Sequence, residues 1–352
     1  MEDKQLLNDF EELFSQDNSW ISKLNNSHVF ITGSTGLIGS IIGRSILYYN
    51  NHYGGTIHLI CHARNVKKLN DIYHDYIAKK QIDYYIGNID DDIYYESPVD
   101  YVIHCANTTS SMAYVKEPVE TIRTIITGTD NVLKFALEKK VNGVVYLSSM
   151  ETYGAPDPSK NEIKEDDSGY LNTMSVRSSY SEGKRLAECL CASYASEYGL
   201  RTVVARSAQV FGAGVNPNDK RVFIQLANSA INHEDFIMRS DGSSYGNYCY
   251  TTDAVKAFLI LLICGKSGEA YNVVNEDNCT TIKEMAEMVA HEISNDSFKI
   301  IYDIPESSLT YGYGQKVIMR LSSKKINKLG WKASVSLKDM YLRMIASLLM
   351  RK

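Results

Sequence analysis

The sequence predicts an α/β protein with a doubly wound parallel sheet and a smaller, mixed α/β lobe after it. Short apolar runs of strand length alternate with helix-like segments as far as residue 206. This alternation is typical of right-handed βαβ units, whose helices cover both faces of a parallel sheet. A glycine-rich turn also follows the first apolar run, at the edge where such sheets bind their ligands.

The elements can be justified in order from the N-terminus. Residues 4–15 predict a short amphipathic helix, because Leu6, Phe10 and Phe14 fall on one helical face. This helix belongs to an N-terminal extension, residues 1–26, that either caps the sheet or contacts a partner. The predicted strands are residues 28–32, 57–61, 82–86, 101–105, 143–148 and 202–206. The clearest helices between them are residues 38–50, 118–140 and 180–199.

The regular alternation ends near residue 207. Beyond it, clusters of Gly, Asn, Asp and Ser separate shorter elements, which include a predicted helix at 281–294. We therefore expect a dinucleotide-binding domain in residues 27–206 and mainly a substrate-binding lobe in residues 207–352. The length of 352 residues fits two lobes, and it fits one large α/β unit with a small appendage equally well.

The composition narrows the range of partners and compartments. There are 37 Lys and Arg against 42 Asp and Glu, a net charge of -5 with no basic block, which argues against nucleic-acid binding. The acidic, polar N-terminus and the lack of a long apolar stretch predict a cytoplasmic protein that does not cross a membrane. The seven cysteines form no CxxC pair, so we expect reduced packing residues and neither disulfides nor a metal site.

A glycine turn follows the first predicted strand and opens the next helix. Its glycines have the GxxGxxG spacing, at Gly33, Gly36 and Gly39. The first two let the backbone approach a pyrophosphate, and the third lets the helix pack closely on the strand. Because the turn lies between a strand and a helix, we expect it to bind a dinucleotide cofactor. The predicted contacts are Gly33, Ser34, Thr35, Gly36, Leu37, Ile38 and Gly39.

The ends of the next strands predict the rest of the cofactor site. An NAD site has an acidic residue after its second strand, whereas this strand is followed by Arg64, which favours a 2′-phosphate and therefore NADP over NAD. A solvated loop arginine is the alternative at this position. Asn88 and Ile89 follow the third strand beside the expected adenine, and the small Ala106 follows the fourth. His104 lies inside that strand, so we expect a packed core histidine.

The residue pattern at the start of one predicted helix indicates proton chemistry. Tyr180 and Lys184 form a YxxxK pair on one helical face, and Ser149 follows the fifth predicted strand. An ammonium beside a phenol favours the phenolate, so we expect Lys184 to lower the pKa of Tyr180 and to make it a general base near neutral pH. Ser149 is expected to hydrogen-bond the hydroxyl from which Tyr180 takes the proton.

Together these motifs resemble the extended short-chain dehydrogenase/reductase family, and within it the nucleotide-sugar epimerase/dehydratase branch. The similarity spans roughly residues 27–335 and includes TGSTGLIG, DYVIHCAN, YLSSMETYG and the YxxxK pair. The stretch RSSYSEGKR, residues 177–185, is most similar to the corresponding stretch of UDP-glucuronate decarboxylases. The resemblance implies a Rossmann-type fold, an NAD or NADP cofactor, a nucleotide-sugar substrate, and a homodimer formed through the helices near 117–140 and 180–198.

The resemblance implies a reaction through a 4-keto sugar. Tyr180 is then expected to take the proton of the sugar 4-hydroxyl while hydride passes from C4 to the nicotinamide. The ketone acidifies C5–H and makes a C6 carboxylate a β-keto acid. Dehydratases of the family carry an acid where this chain has Met150, and Glu151 matches their base at C5. Because Met150 has no proton to give, the sequence favours decarboxylation over dehydration.

The resemblance also implies contacts to the sugar nucleotide, some of which this sequence lacks. A polar Asn of the family is Ile125 here, and the diphosphate-binding Arg is Gly246, whose loss removes a bidentate phosphate contact. Gln209 replaces an Asn that commonly contacts the sugar nucleotide. The substrate contacts that we expect are Thr108, Met150, Arg177, Gln209, Arg221 and Arg320.

Two other functions remain open from the sequence. A nucleotide-sugar 4-epimerase or 4-ketoreductase uses Tyr180, Lys184 and Ser149 but does not need Glu151. A sensor or scaffold that binds a dinucleotide without chemistry belongs to a different class, and the lost Asn and Arg allow it. Retention of the whole Ser149, Tyr180 and Lys184 set favours an enzyme.

Overall fold

The computed structural model describes residues 3–107, 110–305 and 317–351. Its strands are β1 (His28–Thr32), β2 (His58–Ala63), β3 (Ile82–Ile86), β4 (Tyr101–His104), β5 (Gly143–Ser149), β6 (Thr202–Ser207), β7 (Gln209–Phe211), β8 (Phe236–Met238), β9 (Tyr245–Tyr250), β10 (Glu269–Val273), β11 (Asn275–Thr281) and β12 (Ile300–Tyr302). Its helices are α1 (Lys4–Ser15), α2 (Ser19–Ser22), α3 (Leu37–Tyr53), α4 (Val66–Ala78), α5 (Ser111–Lys116), α6 (Pro118–Glu138), α7 (Ser178–Tyr198), α8 (Val222–Asn232), α9 (Thr251–Cys264), α10 (Ile282–Met288), α11 (Lys324–Asn327) and α12 (Leu337–Leu349). A 3-10 turn, Met150–Tyr153, follows β5, and a π-helical turn, Val289–Ile293, extends α10.

The largest sheet is parallel and has seven strands in the order β10-β6-β5-β4-β1-β2-β3. β1 pairs with β2 on one side and with β4 on the other, so the strand order reverses at β1. In doubly wound sheets the ligand binds beyond the carboxyl ends of the strands at such a switch point. The topology confirms the predicted fold class and places the binding edge after β1 and β4.

Alternating side chains of the strands supply two cores, one on each face of this sheet. In β1, Val29 and Ile31 face a core that includes residues of α1, α3 and α9, whereas Phe30 faces the core beneath α6 and α7. Both faces are therefore apolar, which explains why the parallel strands appear in the sequence as continuous apolar runs. The six strands predicted before residue 207 are all present, with bounds that differ by one or two residues.

Residues after β6 contribute both to the large sheet and to a separate lobe. β10 pairs in parallel with β6 at the sheet edge, and α9 packs into the same core as α3. The remaining strands form a three-stranded sheet, β11-β9-β7, and a pair, β12-β8, around a third core. The exact domain boundary at 206 and 207 stays a prediction.

The N-terminal helix is packed onto the main fold. Leu6, Phe10 and Phe14 are fully buried in the core shared with α3 and α9. Asp9, on the same helix, is also buried and pairs with Arg343 of α12 at 3.0 Å. The structure thus confirms the predicted helix, and it favours the capping role for the extension.

None of the helices in the described ranges is long and apolar enough to span a bilayer. The predicted cytoplasmic location stays a prediction. All seven cysteines lie within the described residues and are free thiols, of which Cys61, Cys191 and Cys249 are buried.

Candidate active site

The glycine turn between β1 and α3 has the close backbone approaches that glycine permits. Gly33 has a φ of +63°, and a Cβ there would lie 2.8 Å from the backbone of Ala106. A Cβ on Gly39 would lie 2.4 Å from the Gly33 carbonyl oxygen. Gly36, at the N-cap of α3, leaves the first N–H groups of a 17-residue helix facing the binding edge. The turn therefore fits the pyrophosphate of a dinucleotide.

A threonine at the end of β1 holds the end of β4 beside this turn. The Thr32 hydroxyl accepts hydrogen bonds from the backbone N–H groups of Cys105 and Ala106, both at 3.1 Å. Thr32 also hydrogen-bonds His104 Nδ1 at 2.8 Å, and His104 Nε2 contacts the Thr129 hydroxyl. Burial lowers the pKa of His104 to about 3. His104 is therefore a neutral, packed core residue, as predicted.

Three residues are predicted to contact the adenosine end of the cofactor, and each has different neighbours in the structure. Arg64 is exposed just after β2, while the neighbouring Asn65 accepts from the Lys68 backbone N–H and caps α4. Asn88 donates to Asp91 at 3.3 Å. Ile89 packs against α6, where a Cβ on Gly128 would lie 3.0 Å from it. The cofactor contacts of Arg64, Asn88 and Ile89 stay predictions.

Ser149, Tyr180 and Lys184 are brought together by β5 and α7. Ser149 is the last residue of β5 and hydrogen-bonds Tyr180, which lies in the first turn of α7. Lys184 follows one turn later, with Nζ 5.9 Å from the Tyr180 ring centre. Its ammonium donates to the Leu147 carbonyl at 2.6 Å, which fixes the side chain against β5. The three predicted side chains thus form one group.

The protonation of this group differs from the prediction. Burial raises the pKa of Tyr180 to about 12, the negative charge of Glu151 adds to the rise, and hydrogen bonds from Ser149 and Tyr114 oppose it. The predicted lowering of the Tyr180 pKa by Lys184 is wrong for this structure. The physical reason is burial, which also lowers the pKa of Lys184 itself to about 7 and so weakens its ammonium character.

Glu151 lies beside Tyr180 and is held by two neighbours. Its carboxylate pairs with both terminal nitrogens of Arg177, at 2.9 and 3.1 Å, and accepts from the Ser181 hydroxyl at 3.2 Å. The Ser149 hydroxyl accepts from the Glu151 backbone N–H at 3.2 Å. The sequence placed Glu151 and Arg177 near the site but did not predict that they pair.

A tyrosine that the sequence analysis missed forms one wall of the site. The ring of Tyr114, from α5, stacks on the Tyr180 ring with centres 4.3 Å apart and planes inclined by 11°. The Arg177 guanidinium lies over the Tyr114 ring, 5.0 Å from its centre. Because α5 and α7 are distant in sequence, no local pattern indicated this contact.

A partly buried ion pair between β6 and α7 supports the group of Ser149, Tyr180 and Lys184. The guanidinium of Arg206 on β6 pairs with Glu188 of α7 at 2.7 Å, and Glu188 accepts from the Ser148 hydroxyl. Arg206 also donates to the Glu165 carbonyl at 2.7 Å. The pair ties α7 to β5 and β6, one turn beyond Lys184. Sequence reasoning missed the pair because Arg206 and Glu188 lie on different elements, β6 and α7, and only the packing of the fold brings them together.

Apolar packing surrounds Ile125, which stands where the resemblance implies an Asn. Ile125 of α6 is buried, and a Cβ on Gly183 of α7 would lie 2.9 Å from its Cδ1. The two helices therefore approach closely where the family carries a polar side chain. Gly246, at the position of the missing Arg, is buried in β9 against the Tyr248 side chain.

The predicted substrate contacts differ in their burial and in their partners. Met150 opens the 3-10 turn after Ser149, and Gln209 begins β7; both are partly buried. Arg221 pairs with Asp219 at 2.5 Å. Arg320 is exposed and lies over the Tyr245 ring, 5.4 Å from its centre. Thr108 lies outside the described residues, and the substrate contacts of the other five, Arg177 included, stay predictions.

Comparison with known proteins identifies the family. A sequence model of the NAD dependent epimerase/dehydratase family matches residues 29–274, more than half of the chain. The chain belongs to this family. Membership confirms the resemblance predicted from the motifs and the prediction of an NAD(P)-dependent enzyme, and it argues against the sensor or scaffold alternative.

Several characterised members of the family are similar over most of the chain. UDP-glucuronic acid decarboxylase 6 of Arabidopsis thaliana is 27% identical over 325 residues, which cover 90% of this chain and 87% of the relative. The UDP-N-acetyl-alpha-D-glucosaminuronate decarboxylase of Bacillus cytotoxicus is 28% identical over 293 residues, 80% of this chain and 85% of the relative.

Solved structures of other members share the fold. The UDP-glucose 4-epimerase of Thermotoga maritima superposes with a TM-score of 0.78 at 21% identity, covering 92% of this chain and 99% of its own. The UDP-glucuronic acid 4-epimerase of Bacillus cereus, solved with UDP-glucuronic acid and NAD, gives a TM-score of 0.75 at 17% identity, covering 92% of this chain and 100% of its own. These likenesses confirm the Rossmann-type architecture.

Proposed function

We propose that this member of the family modifies a nucleotide-activated sugar through a transient 4-ketone, with decarboxylation of a uronate as the reaction. The observation that carries the proposal is the group of Ser149, Tyr180 and Glu151 at the carboxyl end of β5, backed by Lys184. The similarity to two classes of sugar-nucleotide decarboxylase, each over most of the chain, supports the choice of substrate.

Each side chain has a task in this reaction. Tyr180, in its phenolate form, accepts the proton of the sugar 4-hydroxyl, and Ser149 hydrogen-bonds the same oxygen. A bound NAD or NADP takes the hydride from C4 and later returns it, so the overall reaction consumes no oxidant. The 4-ketone makes the C6 carboxylate a β-keto acid, which loses carbon dioxide, and C5 then takes up a proton. Glu151 lies two residues from Ser149, beside the C5 end of the expected substrate.

The residue between Ser149 and Glu151 favours decarboxylation over dehydration. Loss of water from C6 requires an acid to protonate the departing hydroxyl, and the Met150 thioether has no proton. Decarboxylation needs no such acid. The difference therefore lies in one side chain of the 3-10 turn that follows β5.

A 4-epimerase or 4-ketoreductase is the second candidate, and one observation favours it. The Glu151 carboxylate is bound by Arg177 and Ser181. Ser149 and Tyr180, which handle the proton of the sugar 4-hydroxyl, form a complete pair without it. A Glu151→Gln variant separates the two functions. A 4-epimerase keeps the parental rate in this variant, whereas the decarboxylase proposed here slows.

The preference for NADP over NAD is a finer proposal that rests on Arg64. This side chain is exposed at the end of β2, where a carboxylate would hold the ribose hydroxyls of NAD. Measured dissociation constants for both cofactors test it. Arg64→Ala should weaken NADP more than NAD, and equal weakening of both would contradict the preference.

We also infer a homodimer through α6 and α7. These helices pack on each other and carry exposed apolar side chains, namely Val119 and Ile122 of α6 and Leu186 of α7, each more than 40% exposed. Apolar side chains clustered on one face indicate an interface. Sedimentation of the purified protein tests the inference, and Ile122→Glu with Leu186→Glu should yield monomers.

The experiment that decides the reaction is incubation with a panel of UDP-, dTDP-, CDP- and GDP-sugars, following product masses and nicotinamide absorbance together. A loss of carbon dioxide from a uronate supports the proposal. A loss of water, a net gain of hydride or a change of stereochemistry without mass change selects a rival. Tyr180→Phe is the matched control, since it keeps the ring but removes the hydroxyl.

A further inference from the structure

Arg177 makes contacts that differ from its predicted role as a substrate contact. It directly precedes α7, its side chain is only 13% exposed, and two of its nitrogens bind the two oxygens of Glu151. Such two-point pairing holds a carboxylate in a fixed orientation. The guanidinium also lies over Tyr114, which stacks on Tyr180. Arg177 therefore contacts both sides of the group that carries the chemistry.

The Arg177–Glu151 pair changes the net charge that a bound sugar faces. An isolated Glu151 carboxylate beside C5 would repel a second carboxylate at C6, because like charges at close range disfavour each other. A neutral hexose has no such charge and would not be repelled. The guanidinium of Arg177 compensates the Glu151 charge and removes this difference between the two kinds of sugar.

The other cations near the group have different partners. Lys184 donates to the Leu147 carbonyl. Arg185, one position further along α7, donates to the carbonyls of Thr152 and Gly169. Of these described cations, Arg177 is the one that pairs with Glu151, so the compensation depends on one side chain.

We propose that Arg177 allows substrates with a C6 carboxylate to bind, by cancelling the charge of Glu151 that would otherwise repel a uronate. Arg177 is in this view a specificity-determining positioning residue. The inference rests on the proposed function, because that function places the C6 end of the sugar next to Glu151.

The test measures binding of two sugars that differ in this one charge. UDP-glucuronate and UDP-glucose are titrated calorimetrically into protein loaded with reduced cofactor, so that no hydride leaves the sugar. Arg177→Gln should weaken UDP-glucuronate binding by about tenfold or more, and UDP-glucose binding by no more than about threefold. Arg123→Gln, at an exposed position of α6, is the control and should change neither constant.

Two further variants separate charge from packing. Arg177→Lys keeps the positive charge without the two-point geometry. It should restore part of the UDP-glucuronate affinity that Arg177→Gln loses. The double variant Arg177→Gln with Glu151→Gln removes both charges, and it should recover the parental ratio of the two affinities. A purely structural role for Arg177 predicts no such recovery.

The outcomes separate this inference from the proposed function. Equal weakening of both sugars, or no recovery in the double variant, would overturn the role of Arg177. A parental protein that binds both sugars but converts neither contradicts the proposed function, while the affinity ratio still decides the inference. A parental protein that binds neither sugar contradicts both.

Discussion

Tyr180 lies between charges of opposite sign, and their balance sets the pH at which its phenolate forms and can accept a proton. Its pKa is raised to about 12, most by burial and next by the Glu151 carboxylate, while the Arg177 guanidinium opposes the rise. Its other polar neighbours are the hydroxyls of Ser149 and Tyr114. The reactivity of the phenol is thus determined by residues from three elements rather than by Lys184 alone.

Removing the charge of Glu151 should move the pH dependence of hydride transfer. In Glu151→Gln the charge that raises the pKa of Tyr180 is gone, so the phenolate forms more readily and the rise of the rate with pH shifts to lower pH. Single-turnover absorbance of reduced nicotinamide, recorded across pH, measures the shift. Glu182→Gln is the control, because Glu182 pairs with Arg185 instead. A shift to higher pH would contradict the electrostatics described.

Lys184 gives a second prediction at this scale, for stability. Burial lowers its pKa to about 7 from the usual 10.5, so between these values the unfolded chain binds more protons than the folded one. The free energy of unfolding should therefore rise with pH across this window, by up to roughly 1.4 kcal/mol per pH unit from this group. Lys184→Met removes the contribution.

Urea unfolding of both proteins at several pH values between 7 and 10 checks this prediction. The advantage of Lys184→Met over the parent should be largest at the low end of the range and should shrink as pH rises. A difference that does not vary with pH would show that the ammonium keeps its ordinary pKa in the fold.

At the scale of elements, the glycine turn that is expected to bind the cofactor lies where β1, α3 and β4 meet. The turn can close only if no Cβ stands between Gly39 and the Gly33 carbonyl, where the distance would be 2.4 Å. Gly39→Ala must displace the turn, so we expect cofactor affinity to fall by about tenfold or more. Gly54→Ala, at the C-cap of α3, has open space around its Cβ but a φ of +69°, so it should lower stability and leave that affinity unchanged.

Fluorescence titration with NAD and NADP measures both variants. The comparison is informative because Gly39 lies in the first turn of α3 and Gly54 at its C-cap, and only Gly39 approaches the backbone of the glycine turn. Retained affinity in Gly39→Ala would mean that the cofactor does not bind at this turn.

Six of the seven strands of the large sheet could be predicted from sequence for a physical reason, whereas β10 was not predicted. The central parallel strands are buried on both faces and therefore appear as apolar runs, and the glycine turn and the YxxxK pair are local patterns. The strands of the smaller lobe, such as β9 (YGNYCY) and β11 (NEDNCTT), are polar and gave no such signal. The helix predicted at 281–294 is present, although it changes to a π-helical turn at Val289.

The site could be predicted only in part, because contacts between distant elements have no local signature. Ser149, Tyr180 and Lys184 were found from spacing. The stacking of Tyr114 on Tyr180 and the Glu188–Arg206 pair depend on how α5, α7 and β6 pack. The direction of the Tyr180 pKa was mispredicted for the same reason, since burial is a property of the whole fold.

At the scale of the whole molecule, the two ends of the described chain stabilise each other. Asp3, at the N-cap of α1, pairs with Arg351 at 2.7 Å and accepts from the Ser347 hydroxyl of α12. Asp9 is fully buried and pairs with Arg343 of the same helix. The extension therefore acts as part of the core shared by the sheet and the smaller lobe.

This arrangement predicts a large cost when the buried pair is broken. Arg343→Met leaves the Asp9 carboxylate buried without its cation, which should lower the free energy of unfolding by about 3 kcal/mol. Lys338→Met, on the same helix, removes an exposed pair with Glu292 and should cost no more than about 1 kcal/mol. Urea unfolding compares the two, and equal costs would contradict a structural role for the Asp9 pair.

The central claim is that the Tyr180 phenolate oxygen takes the proton as the sugar is oxidised at C4. The most direct test mixes NAD- or NADP-loaded protein with UDP-glucuronate in a stopped-flow instrument and follows reduced nicotinamide in a single turnover. The account predicts a transient rise in absorbance that slows by about a hundredfold or more in Tyr180→Phe. A transient of unchanged rate in that variant would contradict it.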